Sequence, residues 1–262
     1  PLAAGFTFVT CGMALSDSDG AADSPWRGVD VAVLGEFHDN PDHHATQADI
    51  VEQIRPAALV FEMLTAEQAA RHVPGGDQET LEAAFGWAES GWPDFALYFP
   101  IFAAAPDAAI YGAGVPREMA GAVMSDGLQA AFGADAADYG LTVPLPADEQ
   151  AKREADQMAA HCDALPEEML PMMVDVQRLR DAELARQTAL ALSETGGPVA
   201  VITGNGHARE DRGMPVYLTR VAPQANVVTL GQGEAGQPPL GTFDVTMDAP
   251  RPSRPDPCAA FR

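Results

Sequence analysis

The sequence predicts an α/β fold, a mostly parallel β-sheet flanked by helices with a smaller all-helical subdomain, and three observations carry that prediction. Short β-rich runs alternate with helical stretches along most of the chain. Those runs are apolar or β-branched on both faces, as strands covered by helices on each side are. One long segment, from about 146 to 194, keeps helical periodicity with no strand at all. The 262 residues, 47% hydrophobic and 20% charged, suffice for a large domain with an annex that needs neither disulfide nor metal to build its core.

The strand candidates, in order, are 29–34, 57–63, 108–111, 198–203, 226–230 and 242–247. After the first of them Asn40 is placed to cap a helix with Pro41 at its first position. Between the second and third lies the aromatic stretch 81–105, with Phe85, Trp87, Trp92, Phe95, Tyr98, Phe99 and Phe102, which predicts a helical insertion over the sheet. In the helical segment Met169, Met172, Val176, Leu179, Ala182, Ala185, Ala189 and Leu192 recur every three or four positions and predict one buried face. The expected organisation is therefore 15–145 and 195–250 as two parts of the α/β domain, 146–194 as the helical subdomain, and a Pro-rich tail over 251–262.

Against 38 acidic residues stand 15 basic ones, Lys152 being the only lysine, so the formal net charge is −23. No basic run exists to displace counterions from a phosphate backbone, which argues against nucleic acid as a partner. Any anionic ligand has to find one of the few arginines. Residues 1–14 carry no charge and precede an acidic stretch, which reads as the apolar part of a signal peptide with Gly12-Met13-Ala14 as cleavage site. An apolar first strand is the alternative, and a lipid anchor at Cys11 is a further one, against which Phe8-Val9-Thr10 makes a poor lipobox. In an exported, periplasmic or envelope-associated protein Cys162 and Cys258 could pair and staple the tail, the alternative being two inert thiols.

The chemistry concentrates where strands end. The first strand runs into Gly35-Glu36-Phe37-His38 and then His43-His44, the second ends in Phe61-Glu62, and a later one ends in Gly204-Asn205-Gly206-His207. Strand carboxyl ends form the ligand crevice of open α/β sheets. Two Gly-x-x-His turns and a strand-end carboxylate there point to a divalent metal (Zn, Mn or Fe) held by His38, Glu62, His207 and His43, or to acid–base catalysis by Glu36, His38, Glu62 and His207. His72, beside the loop VPGGD, has no partner in sight and is expected to be solvated.

The segments GEFHDNPDHH, VFEM, YGAGVPRE, HCDALPEEMLPMMVDVQRLRD and GNGHAREDRGMPVYL, spread over about residues 28–220, resemble the ChaN family of haem-binding uptake proteins within the Tiki superfamily. The resemblance implies a large parallel sheet with a smaller helical domain. It implies haem capture for iron acquisition at the bacterial cell envelope, with an outer-membrane haem receptor as a partner and a homodimer enclosing the haem. Other Tiki branches imply a metal-dependent hydrolase built on the same turns. A tyrosine axial ligand is implied. Tyr98, Tyr139 and His161 are the candidates, although Tyr98 also suits a core aromatic and His161 a helix cap. Arg117, Arg209 and Arg212 follow strand ends and are the expected partners of the propionates.

Overall fold

The computed structural model describes residues 24–256 and 258–259, so the apolar segment 1–14 and Cys11 lie outside the described residues. In chain order the elements are β1 (Val31–Glu36), α1 (Pro41–Ile54), β2 (Ala58–Phe61), α2 (Ala66–Ala69), α3 (Gln78–Phe85), α4 (Phe95–Ala104), β3 (Ala109–Gly112), α5 (Arg117–Asp126), α6 (Leu128–Phe132), α7 (Ala147–Ala160), α8 (Leu170–Thr195), β4 (Val199–Gly204), α9 (Asn205–Ala208), α10 (Met214–Val221), β5 (Val227–Glu234) and β6 (Val245–Ala249). The six strands form one sheet in the order β3-β2-β4-β1-β5-β6, and every pairing is parallel. Val199 sits level with Val31 on one side and Ala58 on the other, which fixes the register of the central three strands.

Successive side chains of each strand enter different cores. Ala32, Leu34, Leu59, Phe61, Ala200 and Ile202 join the face packed by α1, α3 and α4. Val31, Val33, Ala58, Val60, Val199 and Val201 join the opposite face, packed by α5, α6, α8 and α10. Both faces are dry, so the runs show no polar alternation. The chain leaves β1 through α1 over the first face and leaves β4 through α10 over the second, as right-handed crossovers in opposite directions require. Because β1 and β4 are neighbours, their carboxyl ends open the crevice at which such sheets bind ligands.

Two strands run further than their sequence suggests. β1 continues through Gly35 and Glu36, and β5 continues through Gly231–Glu234. A Cβ on Gly35 would lie 2.6 Å from both the Leu230 carbonyl oxygen and Asn205 Oδ1, so the missing side chain lets the strands and α9 close together. The Asn205 side chain then completes the β5 edge, its amide donating to the Gln232 carbonyl and its oxygen accepting from the Gln232 N–H, both at 2.9 Å.

Helix α8 is more deeply enclosed than a single apolar stripe implies. Val176, Leu179, Ala182 and Ala185 are buried as expected, and so are Arg178, Asp181, Glu183 and Thr188, because the helix lies between the sheet and α5, α6, α7 and α10. Asn40 caps α1 by accepting from the Asp42 N–H at 3.0 Å. The tail is tied at three points, one of them Arg251, 3.3 Å from Glu234. Cys162 and Cys258 form a disulfide, and Arg254 donates to both carboxylate oxygens of Asp39 and of Glu234, each at 2.7 Å.

Gly35→Ala is expected to lower stability by about 1–3 kcal/mol, the usual cost of forcing extra volume into a closed site. A urea unfolding midpoint unchanged from the wild type would contradict the close approach of β1, β5 and α9.

Candidate functional site

Three strand ends and one helix build the site. Glu36 is the last residue of β1 and its side chain is fully buried. One Glu36 oxygen accepts from His38 Nδ1 at 2.8 Å and from the Tyr98 hydroxyl at 3.0 Å, while the other stands 3.3 Å from His44 Nδ1. Gly204 ends β4 where a Cβ would lie 3.0 Å from His38 Nε2, so the second glycine turn makes room for the first turn's histidine. Glu62 follows β2 directly. Its Oε2 accepts from the Thr203 hydroxyl at 2.7 Å and the Gly204 N–H at 2.8 Å. The single turn of α9 brings His207 back between two carboxylates, with Nδ1 2.6 Å from Asp181 and Nε2 3.6 Å from Glu62. The structure therefore gathers Glu36, His38, Glu62 and His207 at one crevice.

The electrostatics follow from enclosure. Burial alone would drive the proton off His207, but Glu62 and Asp181 outweigh it and raise the ring's pKa to about 9. Burial works against the Glu62 anion too, yet His207 and His38 hold its pKa down to about 2. Burial pushes the Asp181 carboxyl up in spite of His207. His38 shows the same competition: burial opposes its charge, and the hydrogen bond to Glu36 with the charge of Glu62 prevails, so its pKa is raised.

One ring nitrogen is left over. His38 donates through Nδ1, its side chain is 31% exposed, and Nε2 has no hydrogen-bond partner among the described residues. Trp92 packs edge-on against the ring with centroids 4.8 Å apart. Trp92 and Glu62 also wall a cleft of about 270 Å³ that reaches Gln68, Arg117, Arg180 and Leu184. An imidazole oriented by a carboxylate, with its far nitrogen unpaired, is suited in its neutral form to accept a proton or to ligate a metal centre.

Other expected residues are placed elsewhere. His43 has no free nitrogen, since Nδ1 accepts from the Phe37 N–H at 2.9 Å and Nε2 donates to the Gly233 carbonyl at 3.1 Å. Among the described residues no group of three or more His, Cys, Asp and Glu side chains is arranged to hold a metal ion, because Glu62 and His207 are spent on each other and on Thr203, Gly204 and Asp181. Tyr98 is fully buried, and burial with the Glu36 charge holds its phenol strongly protonated, the wrong state for a ligand. Tyr139 packs on Phe132 in the second core, its centroid 5.0 Å away. His161 closes α7, with Nδ1 2.8 Å from the Gln157 carbonyl oxygen. Arg209 is paired to Asp211 and Arg212 to Asp156. Arg117 lines the cleft, and neither it nor Arg180 has an ion-pair partner among the described residues. Sequence reading missed Arg180, Asp181 and His44. The first two are the final residues of QRLRD, two charged residues inside an otherwise apolar helix face, and that oddity was the available signal.

Because His207 gains its charge partners on folding, its stabilising contribution is complete below about 6.5 and is lost as pH rises toward about 9. The stability difference between the wild type and His207→Gln, measured by thermal melts across that range, is expected to shrink with rising pH. A difference that stays constant or grows would contradict the buried imidazolium.

ChaN of Campylobacter jejuni, described as binding haem cofacially, superposes with a TM-score of 0.61 at 19% identity, covering 83% of this chain and 86% of that one. The type III effector HopBA1 gives 0.42 at 12% identity over 85% and 88%, and a Bacillus cereus protein gives 0.35 at 12% identity over 83% and 72%. No curated protein matches the sequence. The family model described as haem-binding uptake, Tiki superfamily, ChaN matches residues 24–218, most of the chain. This protein belongs to that ChaN family of haem-binding uptake proteins.

Proposed function

We propose that this chain captures haem in the crevice between the strand ends and the helical cap, for haem uptake at the bacterial cell envelope. The observation that carries the reading is the pair Arg117 and Arg180, without ion-pair partners among the described residues of a chain of net charge −23, lining one cleft with Trp92. Haem asks for an apolar face, an axial donor and cations for two propionates. Trp92 and Leu184 offer the first, His38 Nε2 the second, and the two arginines the third. The bound group supplies an iron centre that accepts one more ligand, and the protein's part is to bind, orient and partly shield it.

At about 270 Å³ the cleft falls below the roughly 300–1,000 Å³ of pockets that enclose a drug-sized ligand. One chain therefore leaves part of a haem uncovered, and a second copy would cover it, in keeping with the cofacial binding described for the Campylobacter protein. A disulfide suits an exported protein in an oxidising compartment, where an outer-membrane haem receptor is the natural partner.

A hydrolase is the second reading, favoured by one observation: His38 presents a free nitrogen beside His207, which its two carboxylates keep charged. In that reading His38 takes the proton of an attacking water and His207 steadies the developing negative charge.

Hemin added to the purified chain is expected to give a saturable Soret shift, with a change of sedimentation coefficient if a second copy closes the site. Arg117→Ala with Arg180→Ala should weaken binding at least tenfold, since each charge-assisted bond contributes about 1.5–3 kcal/mol, and His38→Ala should move the band. No Soret shift, together with cleavage of an ester or peptide panel that His38→Ala abolishes, would favour the hydrolase instead.

A further inference from the structure

Asp181 uses only one of its two oxygens on the crevice. Oδ1 meets His207 Nδ1 at 2.6 Å, whereas Oδ2 has no hydrogen-bond partner among the described residues. The residue is just 4% exposed, yet Oδ2 is not one of the side-chain atoms sealed from solvent without a partner. It faces the one pocket that Asp181 lines, a space of about 100 Å³ that shares no residue with the strand-edge cleft.

Arg153 and Gln157 of α7, Gln177 of α8 and Arg212 wall this pocket. Gly206 borders it where a Cβ would meet nothing within 4 Å, so nothing overhangs that side. Each guanidinium keeps donors in reserve: Arg153 pairs only Nε with Glu149, at 2.7 Å, and Arg212 only Nη2 with Asp156, at 2.5 Å. The charge of Arg153 favours the Asp181 anion, yet the two make no ion pair, so a gap separates them.

Charge decides what fits that gap. Two arginines stand against Glu149, Asp156 and Asp181, which leaves no positive surplus to draw in a free oxyanion. A simple cation would meet two guanidiniums. A molecule with a cationic donor at one end and a carboxylate at the other satisfies both sides through charge-assisted hydrogen bonds. The space lies well under the roughly 300 Å³ at which pockets for drug-sized ligands begin, so that molecule has only a few heavy atoms.

We propose that this pocket binds a small free α-amino acid, its ammonium donating to Asp181 Oδ2 and its carboxylate accepting from Arg153 and Arg212. Because Asp181 also holds His207, the bound amino acid and the crevice influence each other through that carboxylate. Titration calorimetry with glycine, acetate and methylamine tests the proposal on the intact chain. Glycine is expected to bind at one equivalent, with each half-molecule at least tenfold weaker. Arg153→Gln, a change at a residue outside the crevice, should weaken glycine at least tenfold, as should Asp181→Asn. In nitrogen-15 NMR, glycine should shift His207 Nδ1 and leave His43 unmoved, which places the ligand behind Asp181. Acetate or methylamine binding as tightly as glycine would overturn the proposal in favour of a plain anion or cation pocket. So would glycine binding that Arg153→Gln leaves unchanged or that does not move His207. No heat with any of the three probes would make the pocket a water site only.

Discussion

Three of the carboxylates buried where the strands of the sheet end, Glu36, Glu62 and Asp181, meet at the crevice, and the geometry around them follows from the need to compensate their charge; the fourth, Glu234, is held apart by Arg254. An unpaired carboxylate in a dry site costs several kcal/mol or gives up its charge. Here the partners within hydrogen-bond or ion-pair distance are histidines, the Tyr98 and Thr203 hydroxyls and a backbone N–H, with no lysine or arginine among them. That choice ties the state of the site to proton uptake by imidazole, so its charge balance responds to pH in a range where an arginine would be indifferent.

The same constraint sorts the functional groups. Nitrogens and oxygens used for compensation are withdrawn from ligand chemistry, which is why the cluster of Glu62, His207 and Asp181 reads as a rigid support. His38 differs because one nitrogen satisfies Glu36 and the other remains open. The arginines sort in a parallel way: Arg209 and Arg212 neutralise aspartates, whereas Arg117 and Arg180 stay available at the cleft. A strongly acidic chain that sets two arginines without ion-pair partners on one cleft has kept a place for an anion.

Much of this was legible in the sequence, for identifiable reasons. β1, β2 and β4 could be read because both faces of the sheet are covered there, so their apolar runs are uninterrupted. Glu36, His38, Glu62 and His207 could be read because glycines and strand ends mark them. Contacts made through helix register could not. His43 and His44 are adjacent, yet a helix turns neighbouring side chains about 100° apart, so one meets the Gly233 carbonyl and the other Glu36. Asp181 and Arg180 sit in a helix whose several faces are all covered, and periodicity alone does not say which polar residue faces the site. Tyr98 was visible as an aromatic, but its hydroxyl is committed to a carboxylate sixty-two positions earlier in the chain. The strand ends slipped because Gly35 and Asn205 extend the β1–β5 edge by close approach and side-chain mimicry, which apolar patterning does not encode.

The central claim is that compensation of buried carboxylates fixes the protonation of each histidine and leaves His38 Nε2 as the open nitrogen. Nitrogen-15 NMR of the imidazole rings, followed upward from pH 7, tests it most directly. The account predicts that His38 titrates above 6.5 by losing its proton from Nε2 while Nδ1 keeps its own, that His207 carries protons on both nitrogens at pH 7, and that His43 carries one on Nε2 alone. A neutral His207, or a His38 ring protonated on Nε2 alone, would contradict it.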